Sequence, residues 1–333
     1  MDQSEPSPRR IFQISSGHWA TALLGAGVVH RVFTHIERGA DTLEAIASEA
    51  AIAPRGALAL LDGLVGLGLL TRCGGHYKNT PEASRYLVEG QPESMVGWAT
   101  MQLREMAGWS HLPESVRTGA PAPGHDASAS DPEMFWRELV TAIVPSTLPV
   151  AQIAAARLDL ASRGPVEILD MGGGSGVYSM VLLGASPEAT ATQADFPAVN
   201  RIARELLERA GLAERFRTLD GNFHETDLGA CGFDLVIFSN IAHAEPPEGN
   251  RALLRRARAA LRPGGTVLIA DYILADDRSG NPASLMFHAN MLLGTPRGAV
   301  YREADYRAWL AEAGFSRVEL VPTRTSTTLL FAS

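Results

Sequence analysis

Cysteine is almost missing: the chain of 333 residues holds two, Cys73 and Cys231. Neither has a Cys or His beside it at metal-ligand spacing, which argues against a zinc module, and two distant thiols do not build a disulfide framework. No metal is expected. No run approaches the roughly 18 uncharged apolar residues of a membrane span, and Met1 to Arg10 lack the charged-then-apolar pattern of a secretory leader. A cytoplasmic protein is therefore expected. Basic excess is absent too: Lys plus Arg number 29 against 37 for Asp plus Glu, giving a net charge of -8 and a pI of about 5.6. Nucleic acid, whose phosphates need a basic face, is not an expected partner. What is present is ordinary: 46% hydrophobic and 20% charged residues exclude wholesale disorder, and the length suits about two domains.

The first part reads as helices with one small β element. Asp41 or Thr42 caps a helix carrying Leu43, Ile46, Ala47 and Ala50, and Pro54 opens another with Leu58, Leu61, Leu64 and Val65 on one face. Leu69 to Tyr77 reads as two short strands turned at Gly74-Gly75, so this part is a winged helix. Its second helix has Arg55 as the only basic residue, with Asp62 against it, a poor phosphate-contacting face. Packing against another subunit is the favoured role. Residues 1–100 are assigned to this domain and 101–333 to the next.

Thr118 to Asp131 is a Pro/Gly/Ser/Ala-rich loop, followed by a helical region from Pro132 to Arg163 with bends expected at Pro145 and Pro149. Beyond Gly164 strands alternate with helices. Val166 to Met171, Ala191 to Phe196, Phe233 to Ser239 and Thr266 to Asp271 are short apolar runs, separated by helices such as Val199 to Ala210 and Asn250 to Leu261. That alternation predicts a parallel α/β sheet with ligands beyond the strands' carboxyl ends.

The strongest local signal is the run from Glu167 to Gly176, EILDMGGGSG. Counting from Gly172 puts Val177 where a dinucleotide fingerprint needs its last glycine, so a nicotinamide cofactor is not indicated. A nucleoside without pyrophosphate fits better. Asp170 stands just before the loop, and Asp195 ends the next strand, where a carboxylate can accept both hydroxyls of a ribose.

With the ADFPAV, FSNIAH, LRPGG and EAGF segments, this loop resembles the S-adenosylmethionine-dependent methyltransferases, and within them the two-domain O-methyltransferases typified by plant caffeic acid and hydroxyindole enzymes. The resemblance covers most of the chain. It implies a Rossmann-like, seven-stranded, mostly parallel sheet with helices on both faces, a winged-helix dimerisation domain forming a homodimer, and S-adenosylmethionine as donor. By motif, Gly172 and Gly174 pass the methionine part of the donor and Asp195 holds its ribose. Asp170, Ser239 and Asn240 are counted with the donor site. The family expects G-D-x-F at the adenine; this chain has Asp220-Gly221-Asn222-Phe223, which leaves Asp220 or Asn222 as the adenine partner.

The resemblance also implies that His243 is the general base and that Asp271 orients it. The neighbouring Asp and Trp of the family are replaced by Ala244 and Glu245. A second supporting acid is replaced by Val300, with Glu303 as a candidate substitute. An imidazole can take a proton near neutral pH, and the same residue could instead orient the acceptor or be structural. The alternative chemistry is C- or N-methylation, or a non-methylating reaction of the donor. Trp109, Phe135, Trp136, Met286, His288, Asn290 and Met291 are candidates for a pocket taking an aromatic acceptor.

Overall fold

The computed structural model describes residues 6–123 and 132–333. It divides into two units, Met1–Trp109 and Ser110–Ser333. A continuous helix runs through residue 100, the boundary assigned from the sequence, as far as Trp109.

The first unit contains α1 (Arg9–Ser15), α2 (Gly17–Val29), α3 (Val32–Glu37), α4 (Leu43–Glu49), α5 (Pro54–Gly66), β1 (Leu70–Cys73), β2 (His76–Asn79), α6 (Pro81–Tyr86) and α7 (Val96–Trp109). Thr42, not Asp41, caps α4: its extended backbone lets Oγ1 accept from Ala45 N at 3.2 Å, while Asp41 Oδ2 pairs with His76 Nδ1 at 2.9 Å. β1 and β2 pair from Leu70↔Asn79 to Cys73↔His76. Gly74 (φ 57°) and Gly75 (φ 86°) supply the two positive-φ residues that a tight hairpin demands. The buried face of α5 is Ala57, Leu60, Leu61 and Leu64. Leu58 is 43% exposed, because one residue past Ala57 is a 100° turn round the helix.

The second unit runs α8 (Leu112–Thr118), α9 (Pro132–Ala142), α10 (Val144–Leu158), β3 (Val166–Met171), α11 (Val177–Ala185), β4 (Ala189–Asp195), α12 (Pro197–Arg209), β5 (Phe216–Asp220), β6 (Phe233–Ser239), α13 (Pro247–Ala260), β7 (Leu261–Asp271), β8 (Ile273–Leu274), α14 (Pro282–Gly294), β9 (Tyr301–Arg302), α15 (Glu303–Glu312), β10 (Val318–Pro322) and β11 (Thr328–Ala332). Of the loop expected over Thr118 to Asp131, residues 124–131 lie outside the described residues. One of the two expected bends falls at the break just before Pro145. The chain turns by 56° between α9 and α10, where Pro145 sits in a first turn that needs no N–H from it, whereas Pro149 stays inside α10. Among the described residues no single helix is long and apolar enough to cross a membrane.

Seven strands form the sheet in the order β10-β11-β7-β6-β3-β4-β5. β3 pairs parallel with both β4 and β6, as do β4 with β5 and β6 with β7, whereas β11 runs antiparallel to β7 and β10. Ile168 joins one core cluster with Val177, Leu182, Ala203 and Val150; Leu169 and Met171 join another with Leu253, Leu254, Tyr306 and Trp309. The period-two alternation of β3 thus covers both faces of the sheet with helices. The chain leaves β3 towards β4 and later returns to lay β6 on its other side, which makes the β3/β6 boundary the topological switch point.

Replacing the fully buried Leu61 of the first unit by Ala should cost about 2–5 kcal/mol through lost burial and a residual cavity. Chemical denaturation of the variant against the parent measures it.

Candidate active site

The site is built at the carboxyl edge of the sheet, around the switch point. Past Met171 the chain turns through Gly172 (φ 65°) and Gly174 (φ 59°). A Cβ at Gly172 would stand 2.5 Å from Ile241 Cδ1 and 3.1 Å from Phe223 Cε1, and one at Gly174 would stand 3.4 Å from Val140 Cγ1. The loop is therefore closed on by the segment after β6, by the turn after β5 and by α9. Only glycine combines these positive φ angles with so close an approach at Gly172.

Asp195, at the end of β4, holds the loop from below. Its Oδ2 accepts Gly174 N at 3.0 Å and its Oδ1 accepts Phe196 N at 2.7 Å, which leaves each oxygen a further lone pair. Burial pushes its carboxyl up to about 6, against the lowering effect of those two N–H groups. The cradle and this acid fit a ligand with a pair of neighbouring hydroxyls. Asp170, one strand over, is fully buried and takes Ser179 Oγ at 2.8 Å.

Asn200 binds the strand ends together. Its Nδ2 reaches Asp195 O at 2.9 Å, Leu219 O at 3.1 Å and Asp220 Oδ1 at 2.7 Å. Its Oδ1 accepts Gln193 Nε2 at 3.1 Å, and that amide also donates to Gly174 O at 3.1 Å. Asp220 is thus turned to Asn200, with Arg204 Nη2 at 3.4 Å. Asn222 Oδ1 caps its own turn by accepting His224 N at 3.0 Å, and Phe223 stacks on His224 with ring centroids 4.9 Å apart. Neither Gln193 nor Asn200 stood out in the sequence, because an amide in a strand or helix carries no local signal; only strand register brings them together.

After β6, Asn240 takes φ 57° and donates its N–H to Ala270 O at 2.9 Å. Ser239 Oγ lies 3.5 Å from Asn240 Nδ2. The next short helical turn, Ala242–Ala244, carries His243. His243 Nδ1 lies 2.6 Å from Asp271 Oδ1, its backbone N donates to Asp271 Oδ2 at 3.1 Å, and Tyr272 N donates to Asp271 Oδ1 at 2.7 Å. Both His243 and Asp271 are buried. A carboxylate only accepts, so Nδ1 is the donor, and in the neutral ring Nε2 is then left with a free lone pair, the tautomer a base needs.

Two rings flank the imidazole edge-on, Phe287 at 5.0 Å and Tyr272 at 6.0 Å between centroids, and they stack on each other at 4.0 Å. On α14 it is thus Phe287 that meets His243. His288, on the next position round the helix, accepts Val300 N at its Nδ1 at 3.1 Å, and Asn290 lies one turn on from Phe287. Met291 is buried with Leu274 and Val300, while Met286 is 64% exposed. Phe135 and Trp136 pack edge-on at 5.3 Å, with Trp136 set against Val140, Val199 and Ile202. Trp109 belongs to the other unit, at the end of α7. Val300 is buried among apolar neighbours, and Glu303 pairs with Arg307 at 2.6 Å. Glu245 pairs instead with His224 Nε2 at 2.9 Å.

Residues 150–316 match the family model of the O-methyltransferase domain, and residues 12–89 match that of the O-methyltransferase dimerisation domain. The chain is similar to the 3-hydroxy-5-methyl-1-naphthoate 3-O-methyltransferase of Streptomyces sahachiroi, at 36% identity over 94% of this chain and 91% of that protein. It is similar to acetylserotonin O-methyltransferase of Mus musculus at 33% identity, over 94% and 84%. The solved structure of human N-acetylserotonin methyltransferase in complex with SAM shares the fold, with a TM-score of 0.86 and 24% identity over 100% of this chain and 99% of that one.

Removing the buried Asn200 side chain strips partners from both strand ends. Asn200→Ala should lower stability by about 1–3 kcal/mol, read from urea denaturation of the full chain.

Proposed function

Because the chain belongs to the O-methyltransferase family, we propose that it methylates a phenolic or enolic hydroxyl of an aromatic small molecule, with His243 as general base. The family uses S-adenosylmethionine as methyl donor. When bound, the donor supplies a methyl group on a positively charged sulfur, open to in-line attack by an oxygen.

The observation that carries the reading is the His243–Asp271 contact of 2.6 Å, which leaves Nε2 to accept the proton of an acceptor hydroxyl. Asp271 orients the ring and stabilises the imidazolium formed when that proton arrives. The Tyr272–Phe287 stack gives the imidazole a flat apolar wall, which suits an aromatic acceptor and keeps water from the proton transfer. The naphthoate in the name of the Streptomyces relative is a compound of that class. Asp195 is the residue we assign to the ribose hydroxyls, Gly172 and Gly174 to the passage of the methionine part, and Phe223 with Asp220 or Asn222 to the adenine side.

The dimerisation domain supports a homodimer. On α1 and α2 the large apolar side chains of Ile11, Phe12, Ile14 and Trp19 are 64–70% exposed, as residues that a partner subunit covers would be.

His243→Ala should lower kcat by about 10²–10⁴-fold while S-adenosylhomocysteine still binds, read by steady-state kinetics and calorimetry. Near-normal turnover would instead mean an acceptor already nucleophilic, such as a carbon or nitrogen centre. Hydroxyls donate to a carboxylate more strongly than to a carboxylic acid, so S-adenosylhomocysteine affinity should weaken as pH falls through about 6, the value to which Asp195 is raised. A calorimetric titration across that range checks the direction.

A further inference from the structure

We propose that Asp170 is a neutral carboxylic acid in the folded protein, and that its O–H, donated to Gln193 Oε1, is a positioning contact that sets the glycine loop for the donor. The proposal rests on the reading that this loop receives S-adenosylmethionine.

The parallel register sets Asp170 directly opposite Gln193 on β3 and β4. Both side chains crowd one point: a Cβ on Gly173 would stand 2.5 Å from Gln193 Oε1 and 2.7 Å from Asp170 Cγ. Both residues are fully buried, and neither Asp170 Oδ1 nor Gln193 Oε1 has a hydrogen-bond partner among the described residues. The Gln193 amide cannot be turned round to cure this. Its Nε2 faces two acceptors, Gly174 O and Asn200 Oδ1, and Asn200 is fixed in turn because its Nδ2 faces three. Two acceptor atoms are thus left unpaired in the interior, on side chains that converge beneath Gly173, where each unpaired one costs about 1–3 kcal/mol. One proton on Asp170 satisfies both.

The surroundings favour that proton. Ser179 donates its Oγ to Asp170 Oδ2 and so favours the charged form, but burial outweighs it. The charged or titratable groups facing the acid are Asp195 from β4, whose negative charge opposes ionisation, and Tyr178 from α11. On the β6 side its register partner is the apolar Ile237. Burial is the largest cause raising the Asp170 carboxyl, which reaches about 7. The unfolded chain releases this proton near the usual 3.8 and the folded chain only near 7. Between those values the folded state holds one proton more, so stability falls as pH rises across the window and levels off above it. Gln193 also holds Gly174 O, so ionising Asp170 sets a buried charge against an acceptor that braces the loop.

The test uses the full chain and S-adenosylhomocysteine as probe. Carboxyl carbon NMR of the apo wild-type protein should show Asp170 titrating near 7 rather than near 3.8. Asp170→Asn has an amide in place of the O–H and no proton to lose. It should remove this contribution to the fall in apo melting temperature between about pH 5 and about pH 8.5. Wild-type affinity for S-adenosylhomocysteine should weaken by about threefold or more on the alkaline side. That limb should vanish in Asp170→Asn, while the acid limb set by Asp195 persists. An Asp170 resonance titrating near 3.8 overturns the proposal, as does a folded Asp170→Asn protein whose affinity is lost at every pH, the behaviour of a carboxylate that grips the donor itself. If neither protein binds the probe, it is the donor-site reading that fails, and the carboxyl titration on the wild type still decides the hydrogen bond.

Discussion

Buried carboxyl groups at the strand ends govern this site. Asp170, Asp195 and Asp271 each lie at or beside the last residue of a core strand, each is buried, and an acid in low dielectric must find donors or give up its charge. Where backbone N–H groups are within reach, the acid takes them and thereby ties a neighbouring strand's loop to its own. Asp195 does so with Gly174 and Phe196, and Asp271 with His243 and Tyr272. Asp170 has only Ser179 and a neighbouring amide oxygen, and there the burden falls on its own proton.

The parallel sheet makes this concentration of acids possible. Five strands end at one edge, and the change of direction between β3 and β6 brings the segments that follow these two strands together at one spot. Ile241 therefore meets Gly172, although 69 positions in the chain separate them by number. The same segment, two residues on from Ile241, carries His243. Further support comes from the segment before β9, where Ala299 N donates to His243 O at 2.8 Å and Gly298 packs so near that a Cβ would stand 2.5 Å from the same carbonyl. His243 is thus clamped through its main chain as well as its ring.

The departures from the family pattern acquire a physical meaning in this setting. With Val300 in an apolar cluster, the imidazole has Asp271 as its carboxylate partner, and its other neighbours are aromatic. One carboxylate suffices to choose the tautomer. Glu245, following the missing family Asp by a single residue, points instead to His224, and so ties the turn bearing His243 to the turn bearing Phe223.

Much of this was legible in the linear chain. The glycine run, the acids at strand ends and the alternation of strands with helices are local patterns, each dictated by φ angles or by periodicity, and the pairing of His243 with Asp271 followed from resemblance. The register of α5 was misjudged because a run rich in leucine offers more than one apolar stripe, and packing chooses among them. Pro145 marked the break before α10, because a proline's missing N–H suits the first turn of a helix. What folding alone decided is which side chains share a point in space: Gln193 under Gly173, Phe287 against the imidazole, Val140 over Gly174. Those choices depend on strand register and helix rotation, which are settled by the whole core closing at once and leave no mark on any short stretch of residues.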